Sequence, residues 1–284
     1  MELHIIETGN FKLDGGAMFG VVPKSIWQRT NPADNNNMCS WAMRCLLIKN
    51  GDRLILIDTG IGNKQSDKFY SYYYLFGDHS LQSSIEAKGF SIDEVTDVIL
   101  THLHFDHCGG AIVRNVNGTF EPFFKNATYW SNDRHWKWAT EPNAREKASF
   151  LSENILPIQE SGQLKFIQRE NTFFSQSPFE NISFVFADGH TDAQMLPVID
   201  YKGQKIVFMA DLLPSVGHIP LPYVMGYDTR PLLTLEEKKL FLDKAAQEEF
   251  VLFLEHDFEN ECCMVKQTEK GVRLDKTFKL EEIG

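Results

Sequence analysis

Positive charge is what this chain is shortest of: 28 lysines and arginines stand against 39 aspartates and glutamates, a net charge of −11 over 284 residues. That balance gives no overall attraction for nucleic acid or for anionic membranes. Cysteine is scarce as well. The five present (Cys39, Cys45, Cys108, Cys262, Cys263) are odd in number and lack a framework spacing, which fits a reducing compartment better than a disulfide scaffold. No apolar run approaches transmembrane length, and residues 1–7 have neither the basic start nor the apolar core of a secretory leader. A cytoplasmic location is expected. Nor does any low-complexity stretch or composition break mark a linker, so residues 1–284 are expected to form a single domain with ample length for a core.

Histidine, by contrast, is concentrated in one place: Thr101-His102-Leu103-His104-Phe105-Asp106-His107. The run follows Asp97-Val98-Ile99-Leu100, which reads as a buried strand. His102 and His104 are two apart, so in extended chain they point to one face. Asp106 and His107 fall where the strand must break, ahead of Gly109-Gly110. Imidazole nitrogens with a carboxylate suit a divalent ion of the zinc class. Cys108 beside them reads as a small buried hydrophobe.

Around this run the pattern is one of strands and short helices. Residues 3–8 read as a strand, Asp14-Gly15-Gly16 as a turn, and 17–22 as a second strand ended by Pro23. Residues 42–49 and 53–57 form a hairpin across Asn50-Gly51 that ends in Asp58-Thr59-Gly60. A tyrosine-rich stretch (Tyr70, Tyr72, Tyr73, Tyr74) reads as packing or as a pocket lining, and a helix is expected over 80–88, closed by Gly89. Residues 128–130 read as a strand, followed by a helix capped near Asn132 that carries His135, Trp136 and Trp138 and continues over 142–156. A charged helix is expected over 235–248. The second half then repeats one theme, an apolar run followed by a ligand-type residue. Residues 182–187 lead to His190, 206–210 to Asp211, and 250–254 to His256. Strand ends are rigid and their loops converge at one edge of a fold, where polar ligands can meet an ion without being buried unpaired.

On these residues the chain resembles the metallo-β-lactamase superfamily over nearly its whole length. The H-x-H-x-D-H hallmark stands as His102, His104, Asp106 and His107, with His190, Asp211 and His256 matching the later ligands and Asp58-Thr59-Gly60 the early Asp-Thr-Gly. Within the superfamily it is most similar to the quorum-quenching N-acyl homoserine lactone lactonases. That likeness rests on Asp14-Gly15-Gly16-Ala17-Met18-Phe19-Gly20, on Ala210-Asp211-Leu212-Leu213-Pro214 and on His218-Ile219-Pro220-Leu221-Pro222. The resemblance implies an α/β fold, a four-layer αβ/βα sandwich of the metallo-β-lactamase type, with a two-metal site. His102, His104 and His190 would hold one ion and Asp106, His107 and His256 the other, with Asp211 bridging. Zn2+ is the first expectation, with Mn, Co or Fe as alternatives.

Two such cations lower the pKa of a bridging water toward neutrality and so supply a hydroxide nucleophile. Asp106 is then the expected proton shuttle beside the bridging Asp211. Asp58 is expected to hydrogen-bond a ligand imidazole or its loop, fixing tautomer and ring direction. Two departures stand out. Gln194 occupies a place where members often carry a further histidine, and Pro214 one where some lactonases carry a tyrosine. Tyr223, Tyr227 and His218 are the remaining candidates for the substrate pocket.

The expected activity is hydrolysis of a lactone or other carboxylic ester, for example an N-acyl homoserine lactone. A phosphotriesterase or aryl esterase is the alternative, and from another class a mononuclear iron persulfide dioxygenase, which shares H-x-H-x-D-H. His104 argues against the di-iron reductases, which carry glutamate there, and the net charge argues against a nuclease. The expected partner is a small-molecule substrate, with no nucleic acid and no membrane, and the resemblance allows a homodimer.

Overall fold

The computed structural model describes residues 1–284. In chain order the strands are β1 (Glu2–Asp14), β2 (Met38–Asn50), β3 (Arg53–Ile57), β4 (Asp97–Ile99), β5 (Ile112–Arg114), β6 (Phe120–Pro122), β7 (Thr128–Ser131), β8 (Leu164–Phe166), β9 (Ile182–Ala187), β10 (Gln194–Tyr201), β11 (Gln204–Phe208), β12 (Val251–Phe253), β13 (Cys262–Thr268) and β14 (Gly271–Phe278). The helices are α1 (Gly15–Phe19), α2 (Lys24–Trp27), α3 (Asp67–Ser71), α4 (Leu81–Ala87), α5 (Phe105–Cys108), α6 (Asp133–Thr140), α7 (Ser152–Glu160) and α8 (Pro231–Gln247). One sheet has the order β1-β2-β3-β4-β7-β8 and another β14-β13-β12-β11-β10-β9, while β5 and β6 pair separately. The fold is thus mixed α/β, and no helix is long and apolar enough to cross a membrane. By compactness the chain divides into two units, residues 1–9 with 43–180 and residues 10–42 with 181–284.

In the first unit β2 and β3 are antiparallel, as Asn50-Gly51 leads one to expect, with Gly51 at φ 58 in the turn. From β3 onward the pairings to β4, β7 and β8 are parallel. Parallel neighbours end at the same edge, so the loops after β3 and β4 leave side by side. The core below them joins Leu47, Leu56, Val98 and Tyr129 from the strands to Ile85, Trp136, Ile155 and Ile158 from α4, α6 and α7. Ser80 caps α4 through a reciprocal bond pair with Ser83.

In the second unit β10 is antiparallel to both β9 and β11, and β11 and β12 run parallel. The ends of β11 and β12 therefore also share an edge, and they deliver Asp211 and His256 to it. Their cores are apolar at successive positions. Ile206, Val207, Phe208, Leu252 and Phe253 are all fully buried, with Phe208 stacked on Phe253 at 5.2 Å, and Phe241, Leu242 and Ala245 of α8 are buried as well. Burying each such large side chain is worth about 1.5–3 kcal/mol.

Two expectations fail. Residues 17–22 are not a strand, because Asp14 accepts the Ala17 N–H at 2.8 Å and starts α1 instead. Nor is 142–156 a continuous helix. Asn143 accepts the N–H groups of Arg145 and Glu146, turning the chain before α7 starts at Ser152. The charged helix α8 also starts earlier than expected, with Pro231 in its first turn, where a missing N–H costs nothing.

Candidate metal centre

The first unit contributes its groups from the two loops that follow β3 and β4. Asp58, at φ 56 just past β3, is fully buried and donates its N–H to Ile99 O at 2.9 Å. Its carboxylate accepts the Thr101 N–H at 2.8 Å and the Thr101 hydroxyl at 2.6 Å, and its Oδ2 lies 3.0 Å from His107 Nδ1. Three donors around one buried carboxylate are what its burial requires. Thr101 Oγ1, donating to Asp58, accepts in turn from His102 Nδ1 at 3.1 Å. These partners assign the Nδ1 protons of both His102 and His107, leaving each Nε2 lone pair for a ligand role. The two loops lie backbone to backbone, Thr59 N–H and Oγ1 both donating to His107 O. A Cβ on Gly109 would sit 2.2 Å from Ile61 O, so only glycine fits there.

His104 precedes α5, whose first turn holds Asp106. His104 Nδ1 is 3.1 Å from His102 Nε2, the His102 and His107 rings are 3.9 Å apart, and His107 Nε2 is 3.9 Å from Asp106 Oδ2. All four side chains are buried. Cys108 is buried too, its thiol held against Leu103 O and pushed up to about 12 by burial. Phe69 and Tyr73 of the tyrosine-rich stretch pack on Phe105 at 5.2 and 4.7 Å, whereas Tyr72 and Tyr74 are exposed. Burial, then the Asp106 charge, push the Tyr73 phenol up to about 12.

The second unit supplies His190 after β9, Asp211 after β11 and His256 after β12. Asp211 divides its carboxylate: Oδ2 lies 3.1 Å from His190 Nε2 and Oδ1 lies 3.1 Å from His256 Nε2. The other ring nitrogens are spoken for, His190 Nδ1 by Asp228 at 2.9 Å and His256 Nδ1 by Ala42 O at 2.8 Å. Gln194 Oε1 accepts the Asp211 N–H at 3.1 Å, so the residue that departs from the family pattern holds the Asp211 backbone. Glu237 of α8 receives both the Asp188 and Gly189 N–H groups ahead of His190. Burial alone would depress the His190 imidazole. The carboxylates of Asp211 and Asp228 outweigh it and push the ring up to about 10.

This donor set fits divalent cations. Buried imidazoles offer ring nitrogens, carboxylates supply negative charge, and the two carboxylates that raise the His190 ring call for a positive charge that a metal ion would supply.

A model of the metallo-beta-lactamase superfamily matches residues 44–256, which include His102, His104, Asp106, His107, His190, Asp211 and His256. The chain belongs to the metallo-beta-lactamase superfamily. As a member it is an enzyme of the metal-dependent hydrolase class. Among similar solved structures, a probable metal-dependent hydrolase from Staphylococcus aureus is 26% identical, with 100% of this chain and 98% of that one covered at a TM-score of 0.87. AidC, a dizinc quorum-quenching lactonase, is 21% identical, with 98% and 95% covered at 0.78, a likeness of fold. A transcription termination factor, FttA of Methanocaldococcus jannaschii, is 35% identical over 65 residues, which are 23% of this chain and 8% of that protein's length.

The three candidates for the substrate pocket differ in burial. His218 is buried, stacked on Phe19 at 4.4 Å, with Nδ1 on Ser215 Oγ and Nε2 on Met18 O. Tyr223 meets Phe19 edge-on at 6.4 Å, and Tyr227 is exposed. Asp228, Glu146 and Glu237 touch candidate ligands or their loops, and sequence spacing alone does not mark them. Glu146 lay within the stretch read as helix, and the Pro142-Asn143 pair was the one local sign of a turn there.

Proposed function

We propose that this chain hydrolyses a lactone or another carboxylic ester, with an N-acyl homoserine lactone as the first substrate to try, and that it does so with two divalent ions. His102, His104 and His190 would hold one, Asp106, His107 and His256 the other, and Asp211 both. The observation that carries this reading is the divided Asp211 carboxylate, one oxygen set toward each of two histidines whose remaining nitrogens are already bonded. A carboxylate placed like this suits a position between two cations. When bound, such a pair supplies Lewis acidity and an activated water at neutral pH.

The chain's own residues do the rest. Asp58, through Thr101 and His107, keeps two rings in the tautomer that presents Nε2. Asp106 carries a carboxylate able to take a proton at Oδ2 and return it to the leaving alkoxide. Phe69, Tyr73 and Phe105 form an apolar cluster beside Asp106, which supports a substrate with an acyl chain. Metal analysis of protein purified without added metal, followed by a panel of γ-lactones, thioesters and aryl phosphotriesters, tests the reading. Two zinc, cobalt or manganese ions with γ-lactone turnover support it. A preference for phosphotriesters would redirect it to phosphorus. One iron per chain with oxygen uptake on a persulfide would overturn it.

A further inference from the structure

Helix α8 turns one stripe of side chains to the core, and Thr234, Lys238, Phe241, Leu242 and Ala245 are its buried residues. Positions 234, 238, 241 and 245 follow the spacing at which an amphipathic helix places apolar groups. Lys238 breaks that rule. It is only 1% exposed, and lysine is almost never enclosed like this without partners for its nitrogen.

Those partners are three backbone carbonyls. Nζ donates to Tyr223 O at 2.8 Å, to His218 O at 2.9 Å and to Pro220 O at 3.3 Å. An ammonium has one N–H for each of them. Burial lowers the group to about 7, against the pull of the Asp228 charge. The neutral amine still keeps two N–H groups, enough for the two shorter bonds, so the hold on the loop exists on both sides of that pH.

The three carbonyls belong to the stretch that runs from Asp211 to Asp228, the residue bonded to His190 Nδ1. Its regular structure is limited to single turns at Ala210–Leu212 and Val216–His218, so its backbone groups need partners from outside. Asp257 takes the Val216 N–H at 2.9 Å, and Ala17 O takes the Gly226 N–H at 2.7 Å. Lys238 reaches the part between these two anchors. Tyr223 stands there, half-buried and edge-on to Phe19.

We propose that Lys238 is a positioning residue that sets the shape of residues 218–223 and, through Tyr223, the fit of substrate to the centre. The inference rests on the hydrolytic reading of that centre. It goes further by assigning substrate fit to a buried amine that contacts none of the metal-binding groups.

Lys238→Met is the test, since it keeps length and volume and removes every donor. Thermal stability should equal or exceed that of the native chain, because an amine is no longer buried. Amide hydrogen exchange within residues 218–226 should nevertheless quicken about 10–100-fold, the scale of lost hydrogen bonds, while β11 and β12 exchange at native rates. An ordinary core residue would move melting temperature and exchange together. On a γ-lactone, KM is expected to rise about tenfold, as when the competent arrangement becomes a minority state. Bound metal should stay at the native level and kcat should change little, the pattern of lost substrate binding.

Native-like exchange over 218–226 in Lys238→Met would overturn the inference, as would faster exchange everywhere with a lower melting temperature. A loosened loop with unchanged KM would overturn the role in substrate fit, and a loss of bound metal would show the effect running through the ligands instead. Should the variant not fold, acetic anhydride on the native chain decides. A Lys238 protected to the same degree as the 218–226 amides supports the inference, and a freely acetylated one overturns it. A native chain that hydrolyses no lactone or ester defeats the proposed function, whereas the exchange data still decide whether Lys238 holds the loop.

Discussion

The two compact units carry their metal-binding groups in opposite ways. In the first, His102, His104, Asp106 and His107 come from one run at the end of β4, and α5 starts within it. In the second, His190, Asp211 and His256 end three different strands. Their partners are remote: Asp228 is 38 residues from His190, and Ala42 is 214 from His256. A local half takes its shape from strand-then-helix chain geometry. A dispersed half exists only once β9, β10, β11 and β12 have paired and long-range bonds have closed. The divided Asp211 carboxylate, the feature that most favours two ions, therefore depends on strands and partners that lie far apart in the chain.

The sharpest way to break that comparison is to remove one ligand from each half. Asp211→Asn takes away the charge that both histidines of the second unit face, and bound metal should fall below about one ion per chain with hydrolysis at background. His104→Ala should remove metal and activity together, and full activity in that variant would make the ligand assignment wrong. Metal content by elemental analysis and initial rates on the same samples settle both.

A smaller effect is expected from the carboxylates that orient the rings. Asp58→Asn in the first unit and Asp228→Asn in the second should each weaken metal binding by about 10–100-fold, measured by chelator competition. The pair sharpens the contrast. Asp58 serves His107 and, through Thr101, His102, whereas Asp228 is bonded to His190. Loss at Asp58 should therefore lower affinity more than loss at Asp228. Equal losses would mean that the relay through Thr101 carries no weight.

The same contrast explains what could be read from residues alone. The hairpin at Asn50-Gly51, helix α4 with Ser80 and Gly89, and the apolar runs before each ligand type have short-range signals, and they appear in the fold. The strand expected at 17–22 went wrong because Asp14-Gly15-Gly16 serves as a helix cap as readily as a turn, and only its pairing with Ala17 N–H decides. Residues 142–156 went wrong for a similar reason, an asparagine turn inside an otherwise helical composition. Within the site the motif histidines were legible because they are contiguous. Asp228 and Glu146 were not, since a carboxylate that supports a ligand from a distant loop has no characteristic neighbours in sequence. Gln194 departs from the family pattern in sequence, but spacing does not foretell its bond to the Asp211 N–H.

The smallest effect belongs to His218, which ties α1 to the loop after Asp211 without any carboxylate at hydrogen-bond distance. Burial depresses its imidazole first, and the nearby Lys238 ammonium adds to this, against the bond to Met18 O, leaving it at about 3. Lys238 itself donates to the carbonyls of His218 and Tyr223 and is lowered by burial to about 7, so below that pH the loop already carries one cation. A histidine neutral in the fold and ordinary in the unfolded chain, near 6.5, contributes stability that is fully present above that pH. The contribution is lost as pH falls from 6.5 toward 3, because the unfolded chain takes up the proton first. Thermal melts of the metal-free native chain and of His218→Gln between pH 8 and 4 test this by difference. The native chain should lose more stability on acidification than the variant, and parallel curves would show that the ring between Phe19 and Ser215 does not govern the acid response of this loop.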